Sequence, residues 1–179
     1  MKRILTVLVA AVLSTAAFAD DAEKPYVGVD YQLGKVKQSG SDNINLQAVR
    51  LRIGSDITQY LGIEAQIATG TDNKQASLPP GYEYNVRLHD IYGAYLRPKW
   101  STSNDSASVF LIGGYSVVGL GAKPTGGVVG EASSSNTSGF SYGAGFDFKV
   151  CKSLHVGIDY IQYIKDYQAV SVGVRIPVQ

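Results

Sequence analysis

Residues 140–150, FSYGAGFDFKV, alternate without a break: Phe140, Tyr142, Ala144, Phe146, Phe148 and Val150 take one parity, and Ser141, Gly143, Gly145, Asp147 and Lys149 the other. A period of two marks a strand whose two faces meet different surroundings. Eight segments carry this period, at residues 26–36, 46–54, 61–70, 88–97, 108–118, 140–150, 154–164 and 167–176. Each is close to the ~9–11 residues with which a tilted strand crosses a hydrocarbon layer. No sustained 3.6-residue period competes with them.

One face is apolar in most segments. Val27, Val29, Tyr31 and Leu33 oppose Gly28, Asp30, Gln32 and Gly34; Val49, Leu51 and Ile53 oppose Ala48, Arg50 and Arg52; Ile63, Ala65 and Ile67 oppose Gly62, Glu64, Gln66 and Ala68. Val170, Val172, Val174 and Ile176 oppose Ala169, Ser171, Gly173 and Arg175. The fourth segment sets Tyr92, Ala94 and Leu96 against Ile91, Gly93, Tyr95 and Arg97, and the fifth is apolar on both faces, which leaves its phase open. The seventh breaks step at Ile161-Gln162-Tyr163, where a bulge is expected.

Connections alternate in length. Residues 55–60, 98–107 and 151–153 are short turns, whereas 71–87 and 119–139 are long, with 37–45 and the tip 165–166 completing the second set. Short turns on one side and longer loops on the other are the habit of a barrel that spans a membrane. The expected fold is therefore all-β, an eight-stranded antiparallel up-and-down transmembrane β-barrel, with a lumen just wide enough for side chains to fill.

In such a barrel the charged face points inward. Asp30, Glu64, Asp147 and Asp159 would pair with Arg50, Arg52, Arg97, Lys149 and Arg175 in a lumen ion-pair network, with Asp147 and Lys149 as one pair. Buried charge costs several kcal/mol unless opposite charges and hydrogen bonds offset it, and the near balance of signs meets that need.

The N-terminus adds the compartment. Met1-Lys2-Arg3, an apolar run and Ala17-Phe18-Ala19 before Asp20-Asp21 have the form of a secretory leader cut between Ala19 and Asp20, leaving residues 20–179 as one barrel domain. Of 16 basic side chains Lys2 and Arg3 leave with it, so 14 face 15 acidic ones, and net charge offers no argument for a nucleic-acid partner. Cys151 is the single cysteine, which excludes disulfide staples and thiolate metal sites. Twenty glycines and 12 tyrosines among 17% charged residues suit strands rather than a helical bundle.

Several stretches together resemble a family. Tyr26-Val27-Gly28-Val29-Asp30-Tyr31 after the leader, Leu61-Gly62-Ile63-Glu64-Ala65 after Ser55-Asp56-Ile57-Thr58, Ile112-Gly113-Gly114-Tyr115, and residues 140–145 leading to Val156-Gly157-Ile158-Asp159-Tyr160 look like the small eight-stranded outer-membrane barrels of the OmpA/OmpX-like group. The similarity extends over residues 24–179 and lies in the order and spacing of the motifs. It implies an integral protein of a Gram-negative outer membrane, inserted by the barrel assembly machinery and surrounded by outer-membrane lipid and lipopolysaccharide. Its loops would face the exterior, where they could meet an extracellular ligand or a host surface. One departure is the ending Arg175-Ile176-Pro177-Val178-Gln179, where the group usually closes on an aromatic residue.

Candidate chemistry is thin. Ser153 and His155 share a strand parity, but sit by an inner turn and in the order opposite to that of barrel deacylases; a turn serine and an interfacial histidine are the expectation. His89 beside Asp90 reads as a solvated rim pair. Gly119-Leu120-Gly121-Ala122-Lys123-Pro124 has no following helix to cradle a phosphate and reads as a mobile outer loop. No catalytic residue, cofactor site or metal site is expected. Tyr26, Tyr60, Tyr92, Trp100, Tyr115, Tyr142, Phe146, Phe148, Tyr160, Tyr163 and Tyr167 are expected as interfacial girdles. The reading is a structural or surface-interaction barrel of the outer membrane, against two alternatives: a soluble periplasmic barrel binding a small apolar ligand, or a narrow ion channel.

Overall fold

A computed structural model describes residues 25–37, 43–78, 82–125 and 133–178; the expected leader and its cut between Ala19 and Asp20 lie outside them. The strands are β1 (Tyr26–Val36), β2 (Ile44–Thr58), β3 (Leu61–Gly70), β4 (Asn73–Leu78), β5 (Tyr82–Ser101), β6 (Ala107–Thr125), β7 (Ser133–Cys151), β8 (Leu154–Ile164) and β9 (Tyr167–Pro177). They form one antiparallel sheet in the order β3-β2-β1-β9-β8-β7-β6-β5-β4, and an added β3–β5 pairing closes it into a ring.

Nine elements make eight barrel strands, because β3 and β4 are two parts of one interrupted strand. β3 pairs with β5 up to Thr69↔Asp90, and β4 resumes on the same partner at Asn73↔Arg87. The break is stitched to β2: the Thr71 amide donates to the Gln47 carbonyl at 2.9 Å, and Asp72 Oδ1 accepts from the Gln47 amide at 2.8 Å. Backbone groups that leave one ladder are thus satisfied by the next strand.

The assigned parities hold along the strands except at Lys149, which was placed inward and is exposed. Val27, Val29, Tyr31 and Leu33 are exposed on the outer surface while Gly28, Asp30, Gln32 and Gly34 are buried. The fifth segment, whose phase the sequence left open, turns Phe110, Ile112, Ser116 and Val118 inward and Val109, Leu111, Tyr115 and Val117 outward. The expected bulge lies at Tyr163, where the register slips between Gln162↔Gln168 and Ile164↔Tyr167.

Strand lengths depart from expectation. β5, β6 and β7 have 20, 19 and 19 residues, and they run outward as paired hairpins where loops were expected. Residues 119–123, read as a mobile loop, lie in β6, and Gly119↔Asn136 through Ala122↔Ser133 pair it to β7. The Gly and Ser content that suggests a loop marks instead a solvated ribbon, with Ser133 through Ser138 all exposed. At the other end β5 continues through Pro98, opposite Leu61, to Ser101, leaving only residues 102–106 as the turn.

Candidate functional site

Among the described residues the titratable side chains of most strands converge in the lumen, which has two storeys. Tyr26, Asp30, Arg50, Arg52, Glu64, Arg97, Asp147, Asp159 and Arg175 are all buried in the storey nearest the short turns. They arrive there because each occupies the inward parity of its own strand. At the centre, Arg50 Nε donates to Asp30 Oδ2 at 2.7 Å, and Arg50 Nη1 reaches Asp159 Oδ1 at 3.2 Å while Nη2 binds Asp159 Oδ2. Arg52 Nη2 takes the other oxygen of Asp30 at 2.8 Å.

Glu64 is bound by the Tyr26 hydroxyl and by Gln66 Nε2, the latter at 2.6 Å, with Arg52 Nη1 at 3.8 Å and Arg97 Nε at 4.0 Å. Asp147 engages Arg97, and Arg175 Nη2 lies 3.4 Å from its Oδ2. Two cations use ring faces as well: the Arg97 guanidinium stands 3.8 Å from the Phe110 centroid and that of Arg175 4.6 Å from Tyr26. Such packing needs room. A Cβ on Gly145 would meet Phe110 Cζ at 2.5 Å and Asp159 Cβ at 2.7 Å, so the glycine there is a requirement of the lumen.

The structure corrects three expectations. Lys149 is exposed at the end of β7 and does not pair with Asp147, because the register breaks between Lys149 and Cys151 and releases the side chain to solvent. Tyr26, Tyr163 and Tyr167, expected as girdle rings, are buried in the lumen at 3%, 0% and 0% exposure. The lumen is also not polar throughout. Its outer storey is a hydrocarbon core of Ile44, Leu46, Leu88, Ile91, Val118 and Ile161 with their neighbours.

Tyr163 joins the storeys. The bulge turns it inward, where its hydroxyl accepts from Gln32 Nε2 at 2.7 Å and Arg50 Nη1 at 3.3 Å and donates to Gln66 Oε1 at 3.2 Å. Above it Ser141 Oγ donates to the Tyr163 carbonyl at 2.6 Å, and Ser116 Oγ lies 2.6 Å from the Tyr95 hydroxyl. Sequence reasoning also missed Asp56 and Lys99, buried and 2.8 Å apart near the inner turns. The parity of Lys99 matches that of Arg97, but Pro98 made the strand look finished.

The remaining candidates assemble nothing. His155 Nδ1 lies 3.4 Å from Arg175 Nη2, and Ser153 is exposed in the turn. Among the described residues no group of His, Cys, Asp and Glu side chains could hold a metal ion, and Cys151 is exposed.

Outside, the other rings expected in the girdles, among them Tyr60, Trp100, Phe146 and Phe148, are exposed together with the Val, Leu and Ile of the outward parity. An apolar outer surface around a ring with ionic groups inside inverts a soluble protein, so the soluble ligand-binding alternative is set aside. What the fold and its inverted surface define is an integral outer-membrane β-barrel. The family model described as the outer membrane protein beta-barrel domain matches residues 5–175, and the chain belongs to that family.

Solved structures share the architecture at low identity. Neisserial surface protein A is 17% identical with a TM-score of 0.63, covering 89% of this chain and 100% of its own. Ail, the attachment invasion locus protein of Yersinia pestis, is 14% identical with a TM-score of 0.61, covering 87% and 97%. Ail has also been solved in complex with the heparin analogue sucrose octasulfate. The N-terminal barrel domain of Pseudomonas aeruginosa OprF is 9% identical with a TM-score of 0.57, covering 88% and 100%. No curated protein matches the sequence.

Proposed function

We propose that this barrel is a structural and surface-interaction protein of the outer membrane, without catalytic activity and closed to ions. The observation that carries the reading is the filling of the lumen at both levels: Arg50 and Arg97 in the ionic storey and Leu46, Leu88, Ile161 and Tyr163 in the apolar one are all 0% exposed. A barrel plugged twice has no path for hydrated ions, and its buried acids and bases are committed to one another rather than aimed at a substrate.

The outer hairpins β4–β5 and β6–β7 are the part that would meet an extracellular ligand or a host surface. Ail bound to a heparin analogue is a precedent for a ligand on a barrel of the same fold. Outer-membrane lipid and lipopolysaccharide would surround the exposed apolar belt, and the barrel assembly machinery would deliver the chain after removal of residues 1–19. The mass of the protein extracted from membranes should then correspond to a start at Asp20.

Planar-bilayer recording of the purified protein tests the closed lumen, and discrete single-channel steps in the wild type would overturn it. Replacing the β6–β7 ribbon beyond the paired Gly119 and Asn136 with a two-residue turn tests the surface role. Cells carrying the shortened barrel should keep it in the outer membrane yet lose adhesion to matrix-coated or host-cell surfaces; unchanged adhesion would remove that role from the ribbon.

A further inference from the structure

The wall between β7 and β8 opens towards the outside. Their register begins at Tyr142↔Gln162; beyond it β7 continues outward on β6 alone, while β8 ends at Ile164 and the chain turns back. A groove of about 490 Å³ occupies this opening, with Lys37, Thr137, Ser138, Phe140, Tyr142 and Lys165 in its lining. Two chemistries meet there. Phe140 and Tyr142, 78% and 62% exposed, continue the outward row of Phe148, Phe146 and Ala144 and so stand at the top of the lipid-facing belt. Just beyond them come two hydroxyls and two ammonium groups.

The backbone that carries the two lysines is pinned. Gln162, 7% exposed, donates from Nε2 to the carbonyls of Ile164 at 2.6 Å, Lys165 at 3.3 Å and Tyr167 at 3.2 Å, which fixes the turn. The Lys37 amide donates to the Asp166 carbonyl of the same turn at 2.8 Å, bringing a second strand end beside it. Among the described residues neither Lys37 nor Lys165 takes part in an ion pair, although the lumen pairs nearly all of its charges.

An apolar floor at membrane level beneath a rim of two uncommitted cations fits an anion that carries hydrocarbon. We propose that this groove binds the phosphorylated sugar headgroup of an outer-leaflet glycolipid of the lipid A type. Lys37 and Lys165 take a phosphate, Thr137 and Ser138 hydrogen-bond the sugar, and Phe140 and Tyr142 lie along the first acyl carbons. A headgroup with its own ammonium would leave the paired lysines opposed by a like charge, which favours a purely anionic one. The proposal deepens the outer-membrane reading and rests on it.

The test uses the detergent-solubilised full-length barrel, titrated with bisphosphorylated lipid A and followed by native mass spectrometry. The wild type should take up one lipid A. The Lys37→Ala/Lys165→Ala double variant should bind roughly thirtyfold more weakly, the scale set by two lysines near an anionic surface. The Lys37→Arg/Lys165→Arg pair should restore binding, and Phe140→Ser should weaken it. Heat-modifiable gel migration verifies that each variant is folded, as expected for changes confined to exposed side chains. Equal binding by wild type and the double alanine variant would overturn the site, as would displacement of lipid A by equimolar phosphatidylglycerol or inorganic phosphate. Bilayer recording of the same samples separates the two readings: loss of the site in a barrel that stays closed strikes this inference alone, whereas conductance in the wild type strikes the closed-barrel function.

Discussion

Arg50 of β2 grips Asp159 of β8 across the lumen with both ends of its guanidinium, although β1 and β9 separate the two strands in the sheet. The contact spans the ring rather than tracking along it. It ties together two walls that β1 and β9 separate, and with Asp30 of β1 also bound Arg50 becomes the centre of the ionic storey.

Arg50→Met should therefore destabilise the barrel by about 3–5 kcal/mol, because it leaves Asp30 and Asp159 buried with part of their countercharge gone. Arg50→Met with Asp159→Leu should cost clearly less than the sum of the single changes. Equilibrium urea unfolding of the four proteins in lipid vesicles measures this coupling.

Asp147 offers a matching loss from the acidic side. Asp147→Leu strands Arg97 and Arg175, both of which it engages, and a cost on the order of 3 kcal/mol is expected. Lys149→Leu, two residues along, should change stability by less than about 0.5 kcal/mol, since that side chain is exposed. The unfolding midpoints of the two variants give the comparison directly.

Gly113 and Gly114 are neighbours with opposite demands. A Cβ on Gly113 meets nothing within 4 Å, whereas one on Gly114 would collide with the Ala94 carbonyl oxygen and lie 2.8 Å from Tyr95 Cα. Gly113→Ala should be close to neutral and Gly114→Ala should cost about 1–3 kcal/mol through overpacking. Temperature-resolved heat-modifiability gels rank the pair without any assumption about the unfolded state.

Depth in the membrane is readable from the outside. Leu51 pairs with Val29 in the middle of the β1 outer row, and Ile176 lies at its inner end opposite Val27. Leu51→Arg should destabilise by about 2–4 kcal/mol and Ile176→Arg by about 0–1 kcal/mol, in line with the depth dependence of a lipid-facing charge. Equal penalties in vesicle unfolding would mean that the apolar belt does not sit in the bilayer.

The strands and their faces were legible because a period of two needs only side-chain polarity, and that pattern is clear wherever lipid and ionic lumen face each other, as at Asp30 and Arg50. It fades where both faces are apolar. The fifth segment had no readable phase because Phe110, Ile112 and Val118 fill the lumen with hydrocarbon while Val109, Leu111 and Val117 cover the outside. Tyr26 and Tyr167 were misplaced for a different reason: their parity matches Gly28 and Ala169, but their aromatic type suggests a girdle and competes with parity as a signal. Tyr163 could not be placed by counting, since a one-residue bulge reverses the face of every later position in the strand. Whether Lys149 and Lys99 join the lumen network depended on where strands end, and strand ends are where proline, turns and solvent outweigh the alternation.

The β1–β9 seam, running from Tyr26↔Pro177 to Val36↔Tyr167, joins the first strand to the last. Until the last strand arrives, the first has a row of amides and carbonyls with no partner, and in hydrocarbon each such group costs several kcal/mol. A barrel missing β9 is thus not a smaller barrel but a sheet with two open edges. Both edges therefore need shielding until closure of the seam pairs them.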